Sequence, residues 1–313
     1  MPGFVVLALY KFTPLPDSDA VASELRAVCG RFGVLGTLIL AEEGINGTIG
    51  GSRAAIDRVL AWLRSDPRFE GMEAKESFSE EAPFHRLKVL TKSEIVTMGS
   101  RDSDPYGRAG THVDPRDWNA IVNDPDVVVV DCRNDFEVGV GTFPNAINPE
   151  TESFTEFPDF VASRLDPSRD RRIAMFCTGG IRCEKASSWM LDAGFETVYQ
   201  LRGGVLRYLA EVPEEDSLWR GECFVFDRRV SLGHGLRMGT YRECHGCKAP
   251  VSEEARRSAL YEADVSCPAC HDVLTETRRE ALRERVRQIQ FAASRGVSHL
   301  GPPDDDGNGK RPQ

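Results

Sequence analysis

Near the N-terminus, "FVVLALYKF" (residues 4–12) is a run of strand-forming residues, and from Ser18 to Phe32 the apolar positions Ala22, Leu25, Val28 and Cys29 recur at helical spacing. The pair predicts a strand and then an amphipathic helix capped near Asp17 or Ser18. In "VLGTLILAEEGINGTIGG" two apolar runs meet around "EEGING", where Gly44, Asn46 and Gly47 tolerate positive φ, which predicts a hairpin. A second helix is predicted from Ser52, with Ile56, Val59, Leu60 and Leu63 on one stripe, and further strands near "MEAKESF" and "HRLKVLTKSEIV". The order βαββαβ predicts a ferredoxin-like α+β domain over residues 1–98.

Periodicity lapses in the Gly-, Pro- and Asp-rich stretch after Met98, which predicts a linker over 99–113. "VVVVDCR" (127–133) and "RIAMFC" (172–177) are continuous apolar runs of strand length, the pattern of strands buried on both faces of a parallel sheet. "TVYQL" (197–201) is a weaker third. Between the last two, Ala186, Trp189, Met190 and Ala193 mark a helix closed by Gly194, so residues 114–219 are predicted to form a parallel α/β domain. Residues 220–300 hold paired cysteines and a charged helix, "ETRREALRERVRQIQFAASRG", whose thin apolar side is Ala281, Val286 and Ile289. The tail, 301–313, has the composition of a disordered segment.

Composition narrows the class. With 41% apolar and 28% charged residues and no apolar run near the roughly 20 that cross a bilayer, a membrane-spanning chain is excluded. A net charge of −10 argues against a nonspecific nucleic-acid coat; only residues 220–300 are basic, with 14 Lys and Arg against 11 Asp and Glu. The opening apolar run lacks a basic flank and a small-residue cleavage site, so the nine cysteines are expected in a reducing compartment, the cytoplasm, as nucleophiles or metal ligands rather than disulfides.

"MFCTGGIRCEKAS" (175–187) ends a strand on a cysteine and begins a helix after two glycines and an arginine. Ligands of open α/β sheets bind at that end of the strands. Loop amides turned inward, with the helix dipole behind them, favour thiolate over thiol, so Cys177 is the candidate nucleophile. Thr178, Gly179, Gly180, Ile181 and Arg182 form its loop, and Arg182 either adds a cation or closes the loop. Cys183 is either a resolving thiol or a small packed residue. Glu184 and Lys185 are expected to cap and solvate the helix start, and Cys29 and Cys132 to lie in cores. Cys244, Cys247, Cys267 and Cys270 make C-x2-C-x19-C-x2-C, a spacing that suits a tetrahedral structural zinc site, with no further ligand from His245 or His271. No flavin, haem or nicotinamide motif is present in the sequence, nor a facial triad.

"CTGGIR" resembles the active-site loop of the rhodanese domain, and "DCRNDFEVGVGTFPNAINP" its upstream signature, with Asp131, Arg133 and Glu137 in matching supporting places. Thr142, Phe143 and Asn145 stand where many rhodaneses have His, Ile and Gly. The resemblance implies that Cys177 is the nucleophile and carries a persulfide. Related phosphatases have one more residue in the loop than the four found here, so the cradle is sized for sulfur rather than phosphate. "AEEGINGT" (41–48), "KVLTKSEIVTMG" (88–99), "CTGGIRCEKAS" (177–187) and the paired cysteines together resemble the tRNA uridine hydroxylase family, a likeness that runs over roughly residues 4–290. That resemblance implies conversion of the wobble uridine to 5-hydroxyuridine with molecular oxygen, tRNA bound through its anticodon region, and a rhodanese-type cysteine; a persulfide sulfurtransferase is the rival reading. Phosphate contacts are expected from Arg237, Arg242, Arg278, Arg279 and Arg283 and from the N-terminal domain around "EEGINGT".

Overall fold

The computed structural model describes residues 3–99 and 106–295. The predicted disordered tail and residues 100–105 of the predicted linker lie outside the described residues. The chain divides into two compact units between Gly239 and Thr240.

The first unit begins with the ferredoxin-like domain. Its order is β1 (Phe4–Phe12), α1 (Ser18–Arg31), β2 (Leu35–Ala41), β3 (Gly44–Gly51), α2 (Arg53–Arg64) and β4 (Glu73–Ser79), in a sheet ordered β4-β1-β3-β2. A fifth strand, β5 (Leu87–Thr91), adds parallel to β2. Val5, Leu7 and Leu9 of β1 pack under Leu25, Cys29, Ile56, Val59 and Leu63 of the two helices, as the helical stripes predict. Val6 and Tyr10 point to the other face and are buried too, which is why β1 reads as a continuous apolar run instead of an alternating one. Ser52 caps α2 by accepting the Ala55 N–H, whereas Asp17 precedes α1 without a side-chain capping bond. Of the three hairpin residues, only Gly44 takes positive φ, at 133°; Asn46 and Gly47 are extended in β3.

The parallel α/β domain follows as β6 (Thr111–Val113), α3 (Pro115–Val122), β7 (Val128–Asp131), α4 (Asp135–Val138), β8 (Gly141–Thr142), α5 (Phe157–Arg164), β9 (Arg172–Phe176), α6 (Ile181–Asp192), β10 (Thr197–Leu201) and α7 (Gly204–Glu211). The sheet order is β6-β10-β9-β7, all parallel, which buries β9 centrally with Ile173 to Phe176 shielded on both faces. Thr111–Val113, at the end of the predicted linker, are therefore the edge strand of this sheet: a three-residue strand is too short for periodicity to reveal. Three short strands, β11 (Arg220–Gly221), β12 (Cys223–Phe224) and β13 (Ser231–Leu232), return across this domain, and Trp219, Cys223, Val225 and Leu232 join its core. Residues 220–239, which the sequence assigns to the C-terminal segment, thus belong to the first unit.

The second unit carries β14 (Arg242–Glu243), β15 (Pro250–Val251), α8 (Glu253–Arg256) and α9 (Glu276–Ser294). Among the described side chains of α9, Leu282 and Ala292 are buried and Val286 is half-buried, whereas Ala281 and Ile289 face solvent, so of the predicted apolar side only Val286 is shielded. Among the described residues no helix is long and apolar enough to cross a membrane.

The two domains of the first unit are joined by buried charge. Lys185, only 2% exposed, is not a solvated helix start: its Nζ donates to Glu43 Oε1 at 2.9 Å, Glu94 Oε2 at 2.6 Å and the Val96 carbonyl at 3.2 Å. Glu43 also accepts the Ile95 N–H, and Asn46 donates to the Ile95 carbonyl, so "EEGINGT" and "KSEIV" close on each other and on α6. Glu184 is shielded as well, accepting from Tyr10, His112 and Gln200. Removing the ammonium strands two shielded carboxylates. Lys185→Met is expected to lower stability by about 3 kcal/mol in urea denaturation followed by far-UV circular dichroism, and the triple variant that also carries Glu43→Gln and Glu94→Gln to regain part of it.

Candidate active site at Cys177 and a four-cysteine cluster

Cys177 follows the last residue of β9, and the loop after it is shaped by glycine. Gly180 takes φ 102° and donates its N–H to Cys177 Sγ at 3.1 Å. Gly204, at the start of α7, lies against the loop: a Cβ there would sit 2.5 Å from the Cys177 carbonyl oxygen and 2.7 Å from Gly180 N, so only glycine fits. The next two amides, of Val205 and Leu206, donate to the carbonyls of Cys177 and Thr178, which ties down the loop carbonyls. "RGG" (202–204) is the signal for this support, separated from the loop by a helix and a strand.

Arg182 closes the loop. Its guanidinium makes a two-pronged pair with Glu137, at 2.6 and 2.8 Å, and Thr178 Oγ1 donates to the same carboxylate at 3.0 Å. Burial alone would raise the carboxyl of Glu137, but the charge and hydrogen bonds of Arg182 outweigh it and hold it low. Asp131 and Arg133 form a second, fully buried pair beneath, at 2.6 and 2.8 Å. Arg133 also donates to the Gly141 carbonyl and lies against the rings of Phe176 and Trp219. The three departures from the usual rhodanese signature fall here. Thr142 donates to Asp131, Phe143 sits edge-on among Phe176, Tyr208 and Trp219, and Asn145 takes φ 62°, the left-handed region that glycine occupies most readily.

The consequence for Cys177 is electrostatic. Burial opposes ionisation, yet the Cys183 thiol, the Arg182 charge and the amides of Cys183 and Gly180 together bring its pKa down to about 6. Cys183 is itself fully buried, between the thiols of Cys177 and Cys132, and burial together with these neighbours pushes it well above the usual thiol value. Cys29 and Cys132 lie in cores, as does Cys223, which burial pushes up to about 12.

Cys177 has no surface of its own open to solvent; it lies at the floor of a cavity of about 310 Å³. The opposite wall belongs to the ferredoxin-like domain: Val6, Ala8 and Tyr10 of β1, Asn46 and Thr48 of β3, and Lys75 of β4. Lys75 donates to the Gly179 carbonyl at 3.0 Å, pairs with Glu73 at 3.4 Å and lies over the Tyr10 ring. Burial holds its ammonium below the ordinary lysine range. Nothing in "MEAKESF" alone marks Lys75, because its partner lies 104 residues away.

A cysteine after a parallel strand, in a loop of four residues closed by an arginine, defines a rhodanese-like domain, and residues 114–211 match that domain family. Residues 4–95 match the UPF0176 acylphosphatase-like domain. The two in one chain are the architecture of the UPF0176 rhodanese-related family, to which the chain belongs. Solved structures similar to part of it include a rhodanese-related protein from Thermoplasma volcanium, 22% identical, covering 33% of this chain and 93% of its own, with a TM-score of 0.28. A rhodanese-like domain protein from Staphylococcus aureus is 22% identical over 31% and 90%, TM-score 0.26. A rhodanese-like domain from Anabaena is 23% identical over 35% and 78%, TM-score 0.28.

In the second unit, the sulfurs of Cys244, Cys247, Cys267 and Cys270 all lie within 4.8 Å of one another, positioned to hold a metal ion. Cys244 and Cys270 are 3.7 Å apart, as are Cys247 and Cys267. A tetrahedron with metal–sulfur bonds of about 2.3 Å has edges of about 3.8 Å, so the donor set fits zinc-type coordination. The Cys267 N–H donates to Cys270 Sγ at 3.3 Å, a backbone contact that orients a ligand. His245 and His271 turn instead to Asp264 and Asp272.

Two of the five arginines expected to meet phosphate are engaged inside the second unit. Arg283 is paired with Glu262 and Glu276, and Arg279 donates to the His271 and Leu274 carbonyls, so both brace α9 against the cysteine knuckles. Arg242 and Arg278 are exposed in the second unit, and Arg237, also exposed, belongs to the first.

Iodoacetamide labelling of Cys177, followed by mass spectrometry, should rise with pH through a midpoint near 6 and level off, leaving about nine in ten copies ionised at pH 7; a midpoint near 8.5, that of a free thiol, contradicts the site described. Chelation of a metal held by the four cysteines should unfold residues 240–295, seen as proteolytic cleavage confined to them, while the Cys177 titration stays unchanged.

Proposed function

We propose that the protein hydroxylates the wobble uridine of tRNA to 5-hydroxyuridine, with molecular oxygen as co-substrate, in the cytoplasm. The observation that carries this reading is Cys177 at the floor of a cavity of about 310 Å³ walled by both domains: a space for one nucleoside, which must leave its stack to enter. Family membership supports the same substrate class.

The chemistry follows from the nucleophile. Cys177 sulfur, as thiolate or persulfide, adds to C6 of uracil, and the C5–C6 π pair moves onto O4 as an enolate, within reach of a donor such as Lys75 on the facing wall. The electron-rich C5 bonds to dioxygen. A thiol-class reductant supplies two electrons and two protons, so that one oxygen remains on C5 as hydroxyl and the other leaves as water. Loss of the C5 proton then expels the sulfur and restores the double bond. The four thiolates of the second unit hold Zn2+ in a structural role, with Cys244, Cys247, Cys267 and Cys270 as ligands.

The four-residue loop, sized for sulfur, favours a second reading: a sulfurtransferase that passes the outer sulfur of a Cys177 persulfide to an acceptor. Nucleoside mass spectrometry of tRNA from a deletion strain, complemented with wild type or Cys177→Ala, separates the two when run beside a thiosulfate-to-cyanide assay on the purified full-length chain. The hydroxylase reading expects 5-hydroxyuridine to vanish in the deletion and return only with Cys177. Unchanged 5-hydroxyuridine in the deletion strain, with rapid thiocyanate formation in the assay, would establish the sulfurtransferase instead.

A further inference from the structure

The cavity over Cys177 is at the small end of ligand pockets, which run from about 300 to 1,000 Å³. At about 310 Å³ it takes one nucleoside-sized group. If that group is part of a polymer, its neighbours stay outside, and extruding one base deprives them of a stacking partner.

Phe226 forms part of the cavity wall, yet 63% of it is exposed. It is one of three rings set edge to face: its centroid lies 5.1 Å from Phe224 at 87°, and 6.4 Å from Phe136 at 88°, while Phe136 and Phe224 are 5.1 Å apart at 88°. Phe224 is buried and anchors the group. The turn that carries Phe226 is held on both sides. Val225 donates its N–H to the Val230 carbonyl at 2.9 Å, closing the turn between β12 and β13. Asp227 grips Arg229 at 2.6 and 2.8 Å, and Arg229 reaches Ser77 Oγ of the ferredoxin-like domain at 2.8 Å. Arg228 donates its N–H to the Pro83 carbonyl and its guanidinium to that of Ala82. With Phe136, itself 37% exposed, Phe226 makes a contiguous apolar patch beside the cavity, the kind of exposure that marks a contact surface.

We propose that Phe226, backed by Phe136 and Phe224, is a stacking platform for the nucleotide next to the one that enters the Cys177 cavity. The partner is unpaired RNA, and this rests on the tRNA reading above. Continuity with the nucleophile's own cavity selects a nucleobase as the occupant over a protein side chain: whatever lies on the ring must be one residue removed from a group small enough to reach the sulfur.

The test uses the full-length protein and a fluorescein-labelled anticodon stem-loop with uridine at the wobble position, binding being followed by anisotropy. Phe226→Ala is expected to weaken binding roughly tenfold, Phe226→Leu to weaken it as much, and Phe226→Tyr and Phe226→Trp to bind within about threefold of wild type, since base stacking needs a flat π face. The pH midpoint of Cys177 alkylation by iodoacetamide, which is set by the loop and not by the cavity wall, is expected to be the same in all five proteins. Wild-type affinity in Phe226→Ala, full rescue by leucine, a shifted alkylation midpoint in Phe226→Ala, or a wild type that binds no stem-loop would each overturn the platform. Binding lost in Phe226→Ala while the wild type forms no 5-hydroxyuridine would overturn the hydroxylase reading and leave the platform standing.

Discussion

A charged sulfur in a buried place needs compensation from every side, and the architecture around Cys177 is organised to supply it. The Gly180 and Cys183 amides and the Cys183 thiol act directly, while the Arg182 charge acts from the loop's far end. That charge is useful only if its own direction is fixed, and Glu137 fixes it with two short hydrogen bonds from α4. Asp131 and Arg133 repeat the device one layer down, tying the end of β7 to β8. Two stacked ion pairs, each shielded from water and each hydrogen-bonded, set the geometry in which one thiol ionises and its neighbour Cys183 does not.

The second constraint is that the site is shared. The rhodanese-like domain supplies the nucleophile and the floor, and the ferredoxin-like sheet supplies the facing wall. Docking is secured by contacts that only the assembled pair can make: Lys185 between Glu43 and Glu94, Tyr10 on Glu184, and Lys75 on the Gly179 carbonyl. Charged and hydroxyl groups of this kind tolerate little displacement, so the cavity keeps its width.

What the sequence made legible depended on range. The ferredoxin-like order, the parallel strands and the cysteine spacing are local patterns, and Cys177, Arg182 and the four clustered cysteines fall where periodicity and spacing put them. The roles of Lys75 and Tyr10 rest on contacts across many residues, for which a single sequence carries no signal, and the glycine pair that ends in Gly204 shows a tight turn without showing which loop it supports. Lys185 misled for the same reason: a lysine in the first turn of a helix is ordinarily solvated, and only the folded pair of domains brings carboxylates to it. Of the predicted α9 stripe only Val286 is shielded, because a helix so rich in charge leaves apolar positions too sparse to set a phase.

The doubly buried β1 has an implication for how the chain comes to be made. Its Val6, Ala8 and Tyr10 side, together with Lys75 on β4, faces Val96 and Thr97 nearby in the chain, but also segments near residues 177–206 and 225–236, synthesised more than a hundred positions later. The ferredoxin-like domain therefore emerges from the ribosome with an apolar sheet face open to water, and it waits several seconds, at about 5–20 residues per second, before its cover arrives. During that interval the nascent chain is sticky, and the two domains are bound to one another by biosynthesis as well as by chemistry.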